Sequence, residues 1–195
     1  LLEHARVGRA RAADSDVHKM RVPVTSRRSS MDLNEFIRNV PDFPKPGIQF
    51  KDITPLLGRP SLMTEVVVAL CAPFRHSRIT HVVGIESRGF LFGVPVALLL
   101  NVPFVPARKS GKLPMPTVRE SFTLEYGLDV LEVHADGLPS DSRVLIVDDI
   151  LATGGTVAAT CRIVERMGAT VAGISVLGEI AGLGDPQLLA GRHVS

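Results

Sequence analysis

The sequence predicts an α/β domain: a central, mostly parallel sheet flanked by helices. Three observations predict it. Apolar runs of strand length alternate with helix-length segments from Ser61 to Ile180. The runs, such as Val144–Val147, are apolar without alternation, the pattern of strands buried on both faces. Three of them also end abruptly in polar chemistry: Glu86-Ser87-Arg88, Arg108-Lys109 and Asp148-Asp149. In parallel sheets, ligands bind where loops leave the carboxyl ends of strands, so these three ends are expected to share one edge.

Each element has its own reason. Residues 1–30 are rich in Arg and Ser and lack hydrophobic periodicity, so they read as a disordered or non-native extension. An organellar transit peptide has similar composition, but Glu3, Asp14 and Asp16 argue against it. Residues 31–195 then form one domain. Met31 onward, "MDLNEFI", predicts a helix start with Asp32 as N-cap and Glu35 at capping-box spacing. Val40–Gly58 carries four prolines and reads as an ordered loop with an extended piece at Ile48–Lys51. Ser61–Phe74 has helical spacing, Thr80–Ser87 is a buried strand, and Arg88–Asn101 is a helix despite Pro95. Val102–Lys109 is a strand and Ser110–Phe122 a long polar loop. Phe122–Ala135 reads as a hairpin turning near Gly127, and Arg143–Ile150 as a strand. Thr156–Ala169 is a helix closed by Gly168, and Thr170–Ile180 the next strand.

Composition excludes several function classes. The first 30 residues hold seven of the 22 Lys/Arg and three of the 20 Asp/Glu, so the remainder has 15 basic against 17 acidic residues, net −2. That remainder is no basic nucleic-acid surface. Tryptophan is absent and Tyr126 is the sole tyrosine, which disfavours stacking platforms for single strands. No apolar run approaches the roughly 18 residues of a membrane span. Cys71 and Cys161 lie in apolar helical contexts outside any CxxC pair, and read as buried thiols of a cytoplasmic protein.

The stretch "VLIVDDILATGGT", Val144–Thr156, carries the most chemistry. Its adjacent carboxylates, Asp148 and Asp149, repel unless cations or hydroxyl donors balance them. Ala152-Thr153-Gly154-Gly155-Thr156 then offers small side chains, hydroxyls and free backbone N–H groups directly before a helix, the makings of a phosphate cradle. A sugar phosphate fits both halves. The chain contains neither a Walker A motif nor GxGxxG.

This stretch resembles the phosphoribosyl-pyrophosphate (PRPP) signature of type I phosphoribosyltransferases. "FPKPGIQFKDITPLL", "GIESRGFLFG", "ARKSGKLP" and "LEYGLDVLEVH" are similar, in order and spacing, to the adenine-specific family of that superfamily, over roughly Met31 to Arg192. The resemblance implies the type I fold with an N-terminal hood and a flexible loop and hairpin over the site. It also implies purine salvage: adenine and PRPP give AMP and pyrophosphate with Mg²⁺, through an oxocarbenium-like transition state, in a cytoplasmic homodimer. By the same resemblance, Ala152, Thr153, Gly154, Gly155 and Thr156 hold the 5′-phosphate. Asp148 and Asp149 meet the ribose hydroxyls and, directly or through water, the metal, with PRPP as its main ligand. Arg88, Arg108, Lys109 and Lys112 face pyrophosphate, and Arg88 also belongs to the catalytic set. Glu125 is the acid/base or charge-stabilising group. Gln49, Phe50, Lys51 and Tyr126 meet adenine, although Phe50 could equally be core. The Glu86–Ser87 peptide is expected to be cis, and Ser110–Phe122 to be the closing loop. Members of the family continue past "LAGR" with a further strand, so the C-terminus reads as shortened.

Two alternatives stay open. A six-oxo purine could replace adenine, though enzymes for those bases lack the "FPKPGIQF" hood. A PRPP-sensing, nucleic-acid-binding regulator would need an added domain or a basic face.

Overall fold

A computed structural model of the chain describes residues 20–21, 33–124 and 127–195. Seven strands form the main sheet. In chain order they are β1 (Met20–Arg21), β4 (His81–Ile85), β5 (Phe104–Lys109), β6 (Thr117–Leu124), β7 (Gly127–His134), β8 (Arg143–Leu151) and β9 (Thr170–Ile180). The order across the sheet is β1-β9-β8-β4-β5-β7-β6. β5, β4, β8 and β9 run parallel, while β7, β6 and β1 are antiparallel additions at the two sides. The strands read from apolar runs are thus the parallel centre. Met20–Arg21, inside the segment read as tail, pairs with Glu179 and Ile180 at the β9 edge.

The four long apolar strands are buried on both faces, as their sequences require. Val83, Ile85, Val144, Ile146, Ile174 and Val176 face a layer containing helix α4 (Gly155–Arg166). Val82, Leu145, Val147 and Leu177 face α2 (Pro60–Cys71) and α3 (Gly89–Leu100). Alternate residues of one strand therefore serve opposite cores, which explains the absence of a polar stripe. Pro95 is accommodated within α3.

Three expectations change. The "MDLNEFI" start is a four-residue 3₁₀ turn, Leu33–Phe36, and Asp32 lies outside the described residues. The proline-rich segment contains a two-stranded sheet: β2 (Arg38–Pro41) pairs antiparallel with β3 (Gln49–Asp52), and a short helix α1 (Thr54–Leu57) follows. Prolines at a strand end and in the turn do not block an edge ladder. The polar loop after β5 ends at Pro116, because Thr117–Leu124 pairs along its whole length with β7. Leu124 lies opposite Gly127, so the hairpin expected near Gly127 is present. The last residues run beside β9: Ile174 and Val176 donate their N–H groups to the carbonyls of His193 and Ser195 at 2.9 and 2.8 Å.

Candidate active site

The carboxyl ends of β4, β5 and β8 meet at one edge, and each delivers its polar end there. β4 leads through the cis Glu86–Ser87 peptide, as the resemblance implied, into Arg88 and α3. Gly89 opens that helix against β8: a Cβ there would lie 2.8 Å from the Val147 carbonyl oxygen and 2.9 Å from Asp148 Oδ1. Only glycine lets the turn approach the aspartate pair so closely.

Arg88 is the junction of the site. Its Nε lies 2.8 Å from Asp149 Oδ2, an oxygen buried without an aligned hydrogen bond, so the contact is mainly one of charge. Its second guanidinium nitrogen donates to the Lys51 carbonyl at 3.0 Å, and its carbon lies 5.0 Å from the Phe50 ring centre. One side chain thereby ties the β2–β3 hood to the end of β8. Arg88, expected to face pyrophosphate, stands in an ion pair with Asp149, as Arg108, Lys109 and Lys112 do with other carboxylates.

Two clefts meet at Arg88 and Ile150. The first, about 360 Å³, lies beneath the hood and is largely apolar, lined by Ile48, Gln49, Phe50, Lys51, Ala152 and Thr153 among others. Phe50 is half-buried and meets Phe43 edge to face at 5.2 Å, so it lines this cleft rather than the core. Lys51 is buried and donates to Asn39 Oδ1 at 2.6 Å; burial holds its pKa below the ordinary value. The second cleft, about 480 Å³, is polar, and Glu86, Lys109, Lys112, Asp129, Asp148 and Thr156 are among the residues lining it.

In the polar cleft the cations are held by carboxylates. Glu86 accepts from Arg108 Nε at 3.2 Å and from the Lys109 backbone N–H at 3.0 Å, and pairs with the Lys112 ammonium. Burial pulls the Glu86 pKa up, but these donors outweigh it and bring it down to about 2. Lys109 pairs with Asp129 at 3.0 Å. Asp148 is different: desolvation, then the charge of Asp149, raises its pKa well above the ordinary carboxylate range. Its Oδ1 accepts from the Asp149 N–H at 2.9 Å.

Beyond β8, Gly154 takes φ +84° and α4 begins at Gly155. The positive φ turns the chain so that the first-turn N–H groups of α4, which have no partners within the helix, follow directly on Ala152 and Thr153.

A family profile for the phosphoribosyl transferase domain matches residues 74–181. The adenine phosphoribosyltransferase of Myxococcus xanthus is 53% identical over 164 residues, covering 84% of this chain and 89% of that protein. The chain belongs to the adenine phosphoribosyltransferase family. Among solved structures, the family member from Rhodothermus marinus superimposes with a TM-score of 0.79 at 54% identity, covering 83% of this chain and 93% of that one. The enzyme from Saccharomyces cerevisiae, solved with an imino-altritol bisphosphate and adenine, gives 0.76 at 37% identity over 84% and 94%. The mostly parallel sheet with helices on both faces is thus the type I phosphoribosyltransferase fold.

Of the residues singled out in the sequence of this family member, Gln49, Phe50, Lys51, Arg88, Ala152 and Thr153 line the apolar cleft. Arg88, Lys109, Lys112, Asp148, Asp149 and Thr156 line the polar one. Arg108 stands behind, joined to Glu86 and to the Lys112 carbonyl at 3.1 Å. Glu125 and Tyr126 lie outside the described residues. Sequence reading missed Asp129, and named Glu86 only as a strand end and as part of the cis peptide, not as the partner of Arg108 and Lys112. Asp129 sits two residues after Gly127 in the quoted "LEYGLDVLEVH", but its pairing with Lys109 arises across strands and leaves no local signal.

Proposed function

We propose that the chain transfers the 5-phosphoribosyl group of PRPP to N9 of adenine, releasing pyrophosphate and forming AMP for purine salvage, with the two clefts dividing the substrates. The observation that carries this reading is the junction of an apolar cleft with a polar, cation-bearing one at Arg88, beside the Asp148–Asp149 pair. A planar base suits the first cleft. Phe50 offers it a ring face, and backbone groups near Gln49 and Lys51 offer its edge hydrogen-bond partners. Tyr126 belongs to the same set by resemblance.

Where the two clefts meet, the α4 N-terminus with Ala152, Thr153, Gly154, Gly155 and Thr156 receives the 5′-phosphate. Asp148 and Asp149 accept from the ribose hydroxyls. Lys109, Lys112 and Arg108 stabilise the departing pyrophosphate, with Arg88 holding Asp149 in register. The C1–oxygen bond to pyrophosphate breaks as the bond from N9 forms, and N9 gives up its proton. Glu125 is assigned as its acceptor or as the charge opposite the oxocarbenium-like sugar, a contribution of about 10²–10⁴-fold for a positioned group. Catalysis otherwise rests on holding the reactants in line and stabilising separated charge.

Mg²⁺ fits this donor set. Desolvation and the charge of Asp149 raise the Asp148 pKa, and a divalent cation beside the pair would offset both. No cluster of three or more metal-ligating side chains occurs among the described residues, so PRPP and water would supply most of the coordination of a hard ion. When bound, Mg²⁺ neutralises charge on the pyrophosphate. A cytoplasmic homodimer completes the reading. Buried free Cys71 and Cys161 accord with a reducing setting, and an apolar α2–α3 face accords with pairing of two copies.

Incubation with labelled PRPP, Mg²⁺ and each purine in turn tests the assignment. AMP from adenine, with little nucleotide from hypoxanthine, guanine or xanthine, is expected. Folded protein that makes no AMP would contradict it.

A further inference from the structure

Glu132 lies in β7, a strand flanked by β5 and β6, where it stands opposite Arg108 on one side and Arg119 on the other. It is fully buried, at 0% exposure, yet carries a carboxylate. Asp129 and Leu131 of the same strand line the polar cleft, whereas Glu132 does not. Side chains alternate along a strand, so it points to the other face and cannot touch the reacting groups. A buried carboxylate is costly unless paired and hydrogen-bonded, so its partners indicate what it is for.

Those partners belong to the loop between β5 and β6 and to the first residues of β6. Glu132 Oε1 accepts from the backbone N–H groups of Lys112 and Leu113, at 3.1 and 3.3 Å. Its Oε2 lies 3.1 Å from Arg119 Nε and accepts from Thr117 Oγ1 at 3.4 Å, just where the loop re-enters the sheet. The loop itself is mostly exposed; Met115 is 62% exposed. Gly111 takes φ +81°, which turns the chain so that the Lys112 and Leu113 amides converge on one oxygen. Lys112 then reaches Glu86 in the cleft.

We propose that Glu132 is a positioning residue that anchors the β5–β6 loop from beneath, fixing the Gly111–Leu113 turn so that the Lys112 ammonium is held at the polar cleft. The proposal rests on the reading of Lys112 as a PRPP contact. Lys112 is exposed and Leu113 half-buried, so losing Glu132 is expected to release the loop to water without dismantling the sheet.

Kinetics and amide exchange test this together. Glu132→Leu is expected to raise KM for PRPP about tenfold or more, leave KM for adenine within about twofold, and speed exchange at Lys112 and Leu113. Glu132→Gln keeps an oxygen able to accept both loop N–H groups and should stay within about threefold of the parent for PRPP. If Lys112→Ala raises KM for PRPP while Glu132→Leu does not, the anchor is overturned. If Lys112→Ala has no effect, the Lys112 reading fails instead, and exchange rates still decide the anchor. Should Glu132→Leu fail to fold, the parent enzyme decides. Slower exchange at Lys112 and Leu113 than at Met115 supports the anchor, and equal rates overturn it.

Discussion

On the proposed reading, the Asp149–Arg88 pair joins base recognition to chemistry, because Arg88 lines both clefts. Asp149 is 4% exposed, and Arg88 also holds the hood carbonyl of Lys51. Asp149→Asn removes the charge that orients Arg88, and turnover should fall about 10²-fold or more. Arg75→Ala, on an exposed side chain, should change kcat/KM by less than about twofold. Steady-state assays of both variants check this, and equal losses would contradict the site assignment. Glu86 makes a pH prediction. Its folded pKa of about 2 lies below the ordinary 4.5, so ionised Glu86 stabilises the fold above about pH 4.5. That contribution is lost as pH falls from 4.5 through about 2. Parent and Glu86→Gln proteins should therefore differ most in melting temperature near neutral pH. Melts at descending pH should show the gap closing, and a gap that widens would refute the pairing.

At the scale of elements, the β6–β7 hairpin is held in register on α4. Glu120 of β6 pairs with Arg162 at 2.6 Å and Arg166 at 2.9 Å, both on α4. Arg166 also donates to the Arg119 carbonyl at 2.7 Å. These contacts clamp the hairpin to α4, and Glu120→Gln should lower the melting temperature by about 2–4 °C if the charge contributes about 1 kcal/mol. Thermal melts in low and high salt check it, with a smaller difference expected in high salt. None of this clamp is visible in sequence, because it joins residues more than 40 positions apart. What sequence does disclose is whatever burial or backbone geometry imposes locally. The unbroken apolar runs of β4, β8 and β9 and the Gly154 turn are of that kind. β2 escapes because Arg38–Pro41 is mostly exposed and has no apolar alternation, whereas its partner β3 matches the extended piece expected at Ile48–Lys51. Thr117–Phe122 looks like loop because it is largely polar, and the partners of its Thr117 and Glu120 side chains, Glu132 and Arg162 of α4, lie far away in sequence.

Across the whole molecule, the outer face of α2 and α3 gathers half of the exposed large hydrophobic side chains among the described residues. Leu98 is 76% exposed, Leu99 52%, Leu91 43%, Val94 40% and Val68 39%. Beside them lies a groove of about 450 Å³ lined by Met63, Val67, Val68, Pro95 and Leu98 among others. Contiguous apolar surface of this kind is unusual on a monomer, and a second copy of the chain is the occupant proposed here. Two-fold pairing would let Leu98 of each copy enter the groove of the other. A stable contact buries about 1,200–2,000 Å² in total, which two helices per copy can supply. The pairing also bears on chemistry, because α3 begins at Gly89, immediately after Arg88. Fixing that helix fixes the residue joining the two clefts. Leu98→Glu puts a charge into the centre of the face and should yield monomers in sedimentation at micromolar concentration. The monomer should remain folded by circular dichroism but lose activity, with KM rising for both substrates because Arg88 serves both clefts. A variant that stays dimeric would place the contact elsewhere. A monomeric variant with full activity would show that α3 needs no partner to hold Arg88.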